Sequence, residues 1–467
     1  MKLQGKRVTV VGLGIEGTAL VPYLVSQGAQ VTVSDAKPAE ALAENLARIV
    51  GLPVRLSLGE NRPEDCVGAE VVFVSQGVPL DIPALAAARE RGIPFSSITR
   101  LFMELCPAPI VGITGSAGKS TTTALVGEMF RTARRPVLVG GNIGVPLLDQ
   151  LHTLTPRHWT VLEISHTQLE LTDRSPRVAV VTNISPSHAD HYPEMEQYIA
   201  LKERIFAFQS KDDTLVLNWD DPVTRDMASR ARGRVAYFAT SSEPPGNSAF
   251  LRKDSVVLHW NNQETPVLET TTIQLLGAHN RANVLAACAA AAAAGLPAEA
   301  MASAVRDFKG VEHRLEWVRC VDDVDYFNDS IATTPVRAIA GLRSFQRPII
   351  LLAGGRDKHL PLDSWVTEVT QQCAGAIFFG EAGPLFQEAL APHWKGQRPL
   401  VRVWSLEEAV AAARAMARPG ELVLLSPGGT SFDQYPNFEA RGKDFKGLVH
   451  SLSEGAAQES RQGGASW

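Results

Sequence analysis

The segment Ile113-Thr114-Gly115-Ser116-Ala117-Gly118-Lys119-Ser120-Thr121-Thr122 constrains the fold of this chain more than any other. An apolar, β-branched run from Pro109 to Ile113 leads into it, and a helix-compatible run from Thr123 to Phe130 leaves it. Strand, glycine-rich turn and helix start together form a phosphate cradle. Backbone N–H groups and the helix dipole hold the anion, Lys119 reaches the outer phosphates, and Ser120 can ligate Mg2+. The loop has the short Gly-x-x-Gly-Lys-Ser form, because a strict P-loop requires glycine where Ile113 stands. Its place between a strand and a helix makes a nucleoside triphosphate the leading ligand.

At 467 residues the chain exceeds one ordinary core, and about three domains are expected. A hydrophobic content of 45% with 20% charged residues describes a globular protein. The net charge of −5 leaves no electrostatic footprint for nucleic acid or an anionic membrane. Five scattered cysteines, odd in number and never in Cys-x-x-Cys pairs, argue against a disulfide frame or a thiolate zinc site. The first residues run straight into a strand without a signal-peptide stretch, and the alanine-rich run Val284 to Gly295 is too short to span a bilayer. A cytoplasmic, multidomain protein is expected.

The first segment opens with the strand Arg7 to Val11, then Gly12-Leu13-Gly14-Ile15-Glu16-Gly17 and a helix to about Gln27. A second strand ends at Asp35, and Val71 to Val74 leads to Ser75-Gln76-Gly77. Strands alternating with helices predict a parallel, doubly wound sheet. Pro107-Ala108-Pro109 reads as a linker. The second segment carries the cradle, strands at 159–163 and 178–182, and a long helix from about Gly277. The third starts near Glu312-His313-Arg314, with strands near 348–352, 375–379, 400–404 and 421–425. The domains are placed at 1–106, 107–311 and 312–453, and the Gly/Ser/Gln/Ala-rich tail 454–467 is expected to be disordered.

Gly12-x-Gly14-x-x-Gly17 with Asp35 downstream fits a dinucleotide fingerprint, and fits a plain tight β-α turn as well. A nucleotide other than nicotinamide is favoured, since no hydride-transfer constellation accompanies it. Glu163 closes a strand at the cradle's edge, where a carboxylate holds Mg2+ directly or through water. The alternative is a solvated strand end. His188 and Asp190 follow another strand and reach the same region, but Pro186 replaces the first histidine of a His-x-His-x-Asp-His hydrolase site. His191 reads as surface. Lys202, in a helical segment, also reads as a surface lysine when taken alone. Three polar loops, 328–335, 353–358 and 426–433, the last two bearing glycines, follow strands and suit ligand binding at one sheet edge.

These motifs resemble the Mur ligases, ATP-dependent amide-forming enzymes of peptidoglycan precursor synthesis, through all but the tail. The resemblance is carried by residues 114–121, Gly-Gly-Asn-Ile-Gly (140–144), Glu-Ile-Ser-His-Thr-Gln-Leu-Glu (163–170), Gly-Ala-His-Asn-Arg-Ala-Asn (277–283), Glu-His-Arg (312–314) and Asn-Asp-Ser (328–330). Within the family, residues 426–442 are most similar to the D-glutamate-adding member. The resemblance implies three α/β domains: a Rossmann-like N-terminal domain for the UDP end of the substrate, a central P-loop ATPase domain and a Rossmann-like C-terminal domain for the amino acid.

It also implies roles for particular residues. Gly115, Ser116, Ala117, Gly118, Lys119, Ser120, Thr121 and Thr122 would hold ATP, with Asn280 and Arg314 near adenine and phosphates and Asp329 near the ribose. Ser120, Glu163, His188 and Lys202 would hold two Mg2+ ions, Lys202 as a carbamate that turns a cationic amine into an anionic oxygen ligand. Lys119, His188 and Lys202 would carry the catalysis. Gly14, Ile15, Glu16, Asp35, Gly77, Asn142 and Gln168 match the site for UDP-N-acetylmuramoyl-L-alanine. Thr333, Lys358, Ser431 and Phe438 match the D-glutamate pocket. Both substrates are small molecules; no nucleic-acid partner and no membrane insertion are expected, and a monomer is.

The sequence departs from the family at three places. Ile331 replaces a common lysine, His166 and Thr167 replace Ser-Phe, and Ser-Gln-Gly (75–77) replaces Ser-Pro-Gly. The implied reaction transfers the ATP γ-phosphoryl group to the alanyl carboxylate, and the glutamate amine then displaces phosphate. Substrates drawn from three domains imply closure that excludes water. The alternatives are a related ligase adding L-glutamate or another amino acid, and a non-catalytic nucleotide-binding regulator.

Overall fold

In this computed structural model, residues 2–142, 147–185, 194–275, 277–395 and 398–453 are described. His188, Asp190, His191 and the tail from 454 lie outside the described residues. The chain divides into two compact units, one comprising Met1–Ile273 with His279–Phe308 and the other Gln274–Ala278 with Lys309–Trp467.

The first unit holds two sheets. The N-terminal sheet comprises β1 (Arg7–Val11), β2 (Gln30–Asp35), β3 (Val54–Leu58), β4 (Val71–Val74) and β5 (Phe95–Ser96), in the order β3-β2-β1-β4-β5. Every pairing in it is parallel, as the alternation of strands and helices predicts. The order reverses between β1 and β4, which opens a crevice at their carboxyl ends where ligands bind in doubly wound folds. Both β1 and β4 are almost wholly buried apolar strands, the pattern expected where helices cover both faces.

The second sheet is built from β6 (Ile110–Thr114), β7 (Val137–Gly141), β8 (Trp159–Glu163), β9 (Val178–Val181), β10 (Thr214–Asn218), β11 (Arg234–Ala239), β12 (Ser248–Arg252), β13 (Ser255–Trp260) and β14 (Gln263–Glu269). Its order is β14-β13-β12-β11-β10-β9-β6-β8-β7. Strands β6 to β12 pair in parallel, while β12-β13 and β13-β14 form antiparallel hairpins. The cradle strand β6 lies centrally between β8 and β9, so the ends of those three strands share one edge. Buried residues of both sheets, from Val10 and Phe73 to Leu162 and Leu217, belong to one continuous apolar cluster.

The second unit contains one sheet of β15 (Glu316–Val321), β16 (Val324–Asn328), β17 (Ile349–Gly354), β18 (Cys373–Phe379), β19 (Leu400–Arg402) and β20 (Leu422–Gly428). The order is β15-β16-β20-β17-β18-β19, with only β15 antiparallel to its neighbour. Adjacent β16, β20 and β17 therefore deliver the three polar loops to a single edge. Separate apolar clusters cover the two faces, one around Trp365 and Leu351 and one around Leu352 and Phe445. No described helix is long and apolar enough to cross a membrane.

Candidate functional site

The cradle forms because two glycines adopt conformations closed to other residues. Gly115 has φ +145° and Gly118 φ +83°. A Cβ at Gly118 would run into Asn283 Oδ1, and one at Gly115 into Thr182 Oγ1. The helix Lys119–Thr132 starts at Gly118 with no side-chain cap. A helix N-terminus that opens on glycine, with no capping side chain across it, is the arrangement that receives a phosphate. The tail of β9 clamps the loop. Asn183 Oδ1 accepts from the Ala117 N–H (3.0 Å), Asn183 Nδ2 donates to the Ala117 carbonyl (3.0 Å), and Thr182 Oγ1 donates to the same carbonyl (2.6 Å). Neither Thr182 nor Asn183 stands out in the sequence.

Lys202 corrects its surface reading. It is 1% exposed, although its helix Met195–Glu203 carries exposed residues on other faces. Its Nζ donates to Thr114 Oγ1 (3.1 Å) and to the Gly115 carbonyl (3.3 Å), with the Tyr198 ring centroid 5.3 Å away. Lys119 Nζ donates to that same carbonyl (2.9 Å) and to the Ser116 carbonyl (3.1 Å). Burial, and then the neighbouring Lys119 charge, hold the Lys202 amine well below the usual lysine range; Glu163 opposes them.

Glu163, at the end of β8, is 2% exposed, so it is not a solvated strand end. Its Oε1 accepts from Asn142 Nδ2 (2.8 Å), while its Oε2 is buried without a hydrogen-bond partner. A buried carboxylate oxygen left open costs about 1–3 kcal/mol unless something fills it. A hard cation suits an open carboxylate oxygen, since such ions take oxygen ligands, and Ser120 at the helix start carries a hydroxyl of the same kind. Asn280 joins the cradle indirectly, since Asn283 Nδ2 donates to Asn280 Oδ1 (2.8 Å) while Asn283 Oδ1 faces Gly118.

In the N-terminal crevice, Asp35 accepts from the Leu13 N–H (2.7 Å) and the Lys37 N–H (2.8 Å), fixing the glycine turn. Ser75 Oγ donates to the Gly12 carbonyl (2.6 Å), tying the β1 and β4 loops together. Gly14 and Ile15 start the helix Ile15–Ser26, and Ile15 is exposed. Glu16 accepts from the Gln76 N–H (2.8 Å) and Gln168 Nε2 (3.3 Å), and burial pushes its carboxyl above the usual range. Glu16, Gly77 and Gln168 line a cavity of ≈ 310 Å³ with Gln76, His166 and Thr167. Gln168 is itself locked by a capping box on Ser165.

In the second unit, Arg356 and Thr430 exchange backbone hydrogen bonds (2.8 Å each), joining the loops after β17 and β20. Arg356 forms a bidentate pair with Glu381 (2.8 and 3.0 Å). Lys358 is exposed, Ser431 is buried and Thr333 is partly buried. Arg441, which sequence reading missed, is fully buried, and its guanidinium donates to Ser330 Oγ and to the carbonyls of Ser330, Gly429 and Thr430. Ser330 Oγ in turn donates to the Phe438 carbonyl (2.8 Å), which brings Phe438 to the same cluster. No carboxylate pairs with Arg441 through these bonds; burial lowers it to about 10 against the pull of Asp433.

Arg314 lies between His313 (φ +64°) and Leu315 (φ +46°), two left-handed non-glycine residues costing about 1–3 kcal/mol each. Asp329 holds that turn: its Oδ1 accepts from the Leu315 N–H (3.3 Å) and its Oδ2 from Ser426 Oγ (3.0 Å). Burial raises the Asp329 carboxyl to about 7.

Three family models match the chain: a Mur ligase MurD-like N-terminal domain over residues 6–97, a Mur ligase middle domain over 113–291 and a Mur ligase glutamate ligase domain over 313–429. A UDP-N-acetylmuramoylalanine--D-glutamate ligase of Symbiobacterium thermophilum is 45% identical over 97% of this chain and 99% of its own length. That of Acetivibrio thermocellus is 39% identical over 97% of each. Among solved structures, UDP-N-acetylmuramate-alanine ligase MurC from Thermotoga maritima superposes with a TM-score of 0.60 at 17% identity, covering 96% of this chain and 99% of that one. A pseudomurein peptide ligase type C from Methanothermus fervidus gives 0.57 at 17%, covering 96% and 100%. At that identity the two structures speak for the fold alone.

The Asp329 carboxyl generates a signed prediction. Its folded value of about 7 lies above the ordinary 3.8, so the native state binds more protons between those limits. Stability therefore falls as pH rises from about 4 through about 7. Asp329→Asn keeps an acceptor for Leu315 and a polar partner for Ser426, and is expected to flatten that slope. Chemical denaturation followed at pH 4.5 and 7.5 checks this; an unchanged slope contradicts it.

Proposed function

The chain belongs to the Mur ligase family, and from that premise we propose that it joins D-glutamate to UDP-N-acetylmuramoyl-L-alanine, acting as a cytoplasmic monomer. It is an ATP-dependent ligase of peptidoglycan precursor synthesis, releasing ADP and phosphate. The observation that carries the chemistry is the convergence of Lys119 and Lys202 on the Gly115 carbonyl, with Glu163, one of its oxygens open, near enough to act on the Lys202 charge. The choice of substrates is supported by relatives named for that activity, 39–45% identical over nearly the whole chain.

A carboxylate does not acylate an amine until one of its oxygens becomes a leaving group. An alanyl carboxylate oxygen attacks the γ-phosphorus of ATP, the bond to ADP breaks, and an acyl phosphate forms. The uncharged amine of glutamate then attacks the acyl carbon; phosphate departs with that carboxylate oxygen, and the amine's proton is lost to solvent. The N–H groups of Gly118 to Thr121 and the Lys119 ammonium bind the triphosphate and take up the charge that spreads over it during transfer. Two Mg2+ ions, held by Ser120, Glu163, His188 and carbamylated Lys202, supply further neutralisation when bound. A neutral, desolvated Lys202 amine is the form that adds to CO2, and its burial supports that assignment.

Gly14, Ile15, Glu16, Asp35, Gly77, Asn142 and Gln168 are assigned to the UDP substrate. Both Asp35 oxygens already hold backbone N–H groups, so a uridine contact would use their remaining lone pairs. Thr333, Lys358, Ser431 and Phe438 are assigned to glutamate, with Arg441 as the buried cation that fixes their loops. Asn280, Arg314 and Asp329 are assigned to the nucleotide, Asp329 by bracing the turn that carries Arg314.

Phosphate release with UDP-N-acetylmuramoyl-L-alanine and ATP is expected to require D-glutamate; equal release with L-glutamate would point to the related ligase instead. Lys202→Ala is expected to lose about 100-fold or more in turnover, comparable to disturbing a metal's ligand shell, and to regain part with added short carboxylates. Wild-type turnover in that variant would return Lys202 to a packing role.

A further inference from the structure

The Gln76 side chain occupies a seam inside the first unit between the N-terminal crevice and the β7 and β8 ends. Its Nε2 lies 3.0 Å from Asn142 Oδ1, 2.7 Å from Ser165 Oγ and 2.9 Å from Thr167 Oγ1. One amide nitrogen has two hydrogens, so these three acceptors compete for it. The Ser165 and Thr167 hydroxyls are themselves 3.0 Å apart and share a proton, which relieves part of that demand. The Gln76 backbone is held as well, through its N–H to Glu16 Oε2.

Asn142 links this knot to Glu163, donating from Nδ2 to Glu163 Oε1 at 2.8 Å. An ionised carboxylate only accepts, so Asn142 must turn its NH2 towards Glu163 and its carbonyl towards Gln76. Gln76 must then offer its own NH2. Flipping either amide places oxygen against oxygen or NH2 against NH2, and the orientation is fixed along the whole row. The row ends on a carboxylate with one oxygen occupied and the other, Oε2, buried and open.

We infer that Gln76 is a positioning residue: through Asn142 it fixes which oxygen of Glu163 is occupied and aims the other at the metal, so that the UDP-substrate crevice and the metal ligand are joined by one row of hydrogen bonds. The inference rests on the reading of Glu163 as a metal ligand. Because Gln76 is exposed, water partly replaces its bonds and the effect is graded rather than all-or-none.

The test measures Mn2+ binding to the full chain by electron paramagnetic resonance, with a non-hydrolysable ATP analogue present. Gln76→Met, or Gln76→Leu should the first fail to fold, is expected to weaken Mn2+ about 3–10-fold, leaving metal-free nucleotide affinity unchanged. In an Asn142→Ala background the same substitution should add nothing, because the row is already cut. Wild-type Mn2+ affinity in the Gln76 variant, or losses that multiply with Asn142→Ala, overturns the relay. Glu163→Gln separates the two readings. If it weakens Mn2+ and Gln76→Met does not, the relay alone is wrong; if it has no effect, the metal assignment of Glu163 fails and takes the relay with it.

Discussion

Two lysines share one carbonyl oxygen. Lys119 and Lys202 both donate to the Gly115 carbonyl, and much of the candidate ATP site follows from that crowding. Two ammonium groups on one acceptor repel each other, and the more deeply buried group yields its charge more readily. Lys119, at a helix start and partly buried, keeps access to a polyanion; Lys202, at 1% exposure, is driven towards the neutral amine. In the proposed function the first lysine serves phosphate, and the second is the amine that carbamylation would convert into an anionic ligand. The glycine at 115 makes this possible, because a side chain there would displace Thr182 and the loop could not turn its carbonyl to both.

The same economy of backbone appears at the other sheet edges. In the N-terminal sheet, Asp35 holds the glycine turn and Ser75 the Gly12 carbonyl, leaving the helix start open. In the second unit, a single buried guanidinium gathers the carbonyls of Ser330, Gly429 and Thr430. Leaving those carbonyls unpaired would cost about 1–3 kcal/mol apiece, so Arg441 sets the shape of loops that contact ligands without reaching a ligand itself.

The cradle was legible because strand, turn and helix start are contiguous, and the parallel N-terminal sheet because its strands and helices alternate cleanly. The β12–β14 hairpins were not, since they are short, half-polar and joined by two-residue turns with no helix between them. Lys202 illustrates the harder limit. Nothing within its own helix marks it as buried; its partners lie 87 and 88 residues away, and only the fold brings β6 beneath it. Glu163 was readable from its place at a strand end, but not the asymmetry of its two oxygens. That asymmetry comes from Asn142, 21 residues earlier on a neighbouring strand end. Gln76 was visible as a departure from the family pattern, yet its meaning depends on three acceptors drawn from 66 to 91 residues away.

The central claim is that the cradle, Glu163 and Lys202 serve phosphoryl transfer to a carboxylate. The most direct measurement uses UDP-N-acetylmuramoyl-L-alanine labelled with 18O in its alanyl carboxylate and follows the label by mass spectrometry during turnover with ATP and D-glutamate. An acyl phosphate requires one 18O atom in each phosphate released and one retained in the amide. Phosphate free of label would contradict the mechanism and the account of the site built on it.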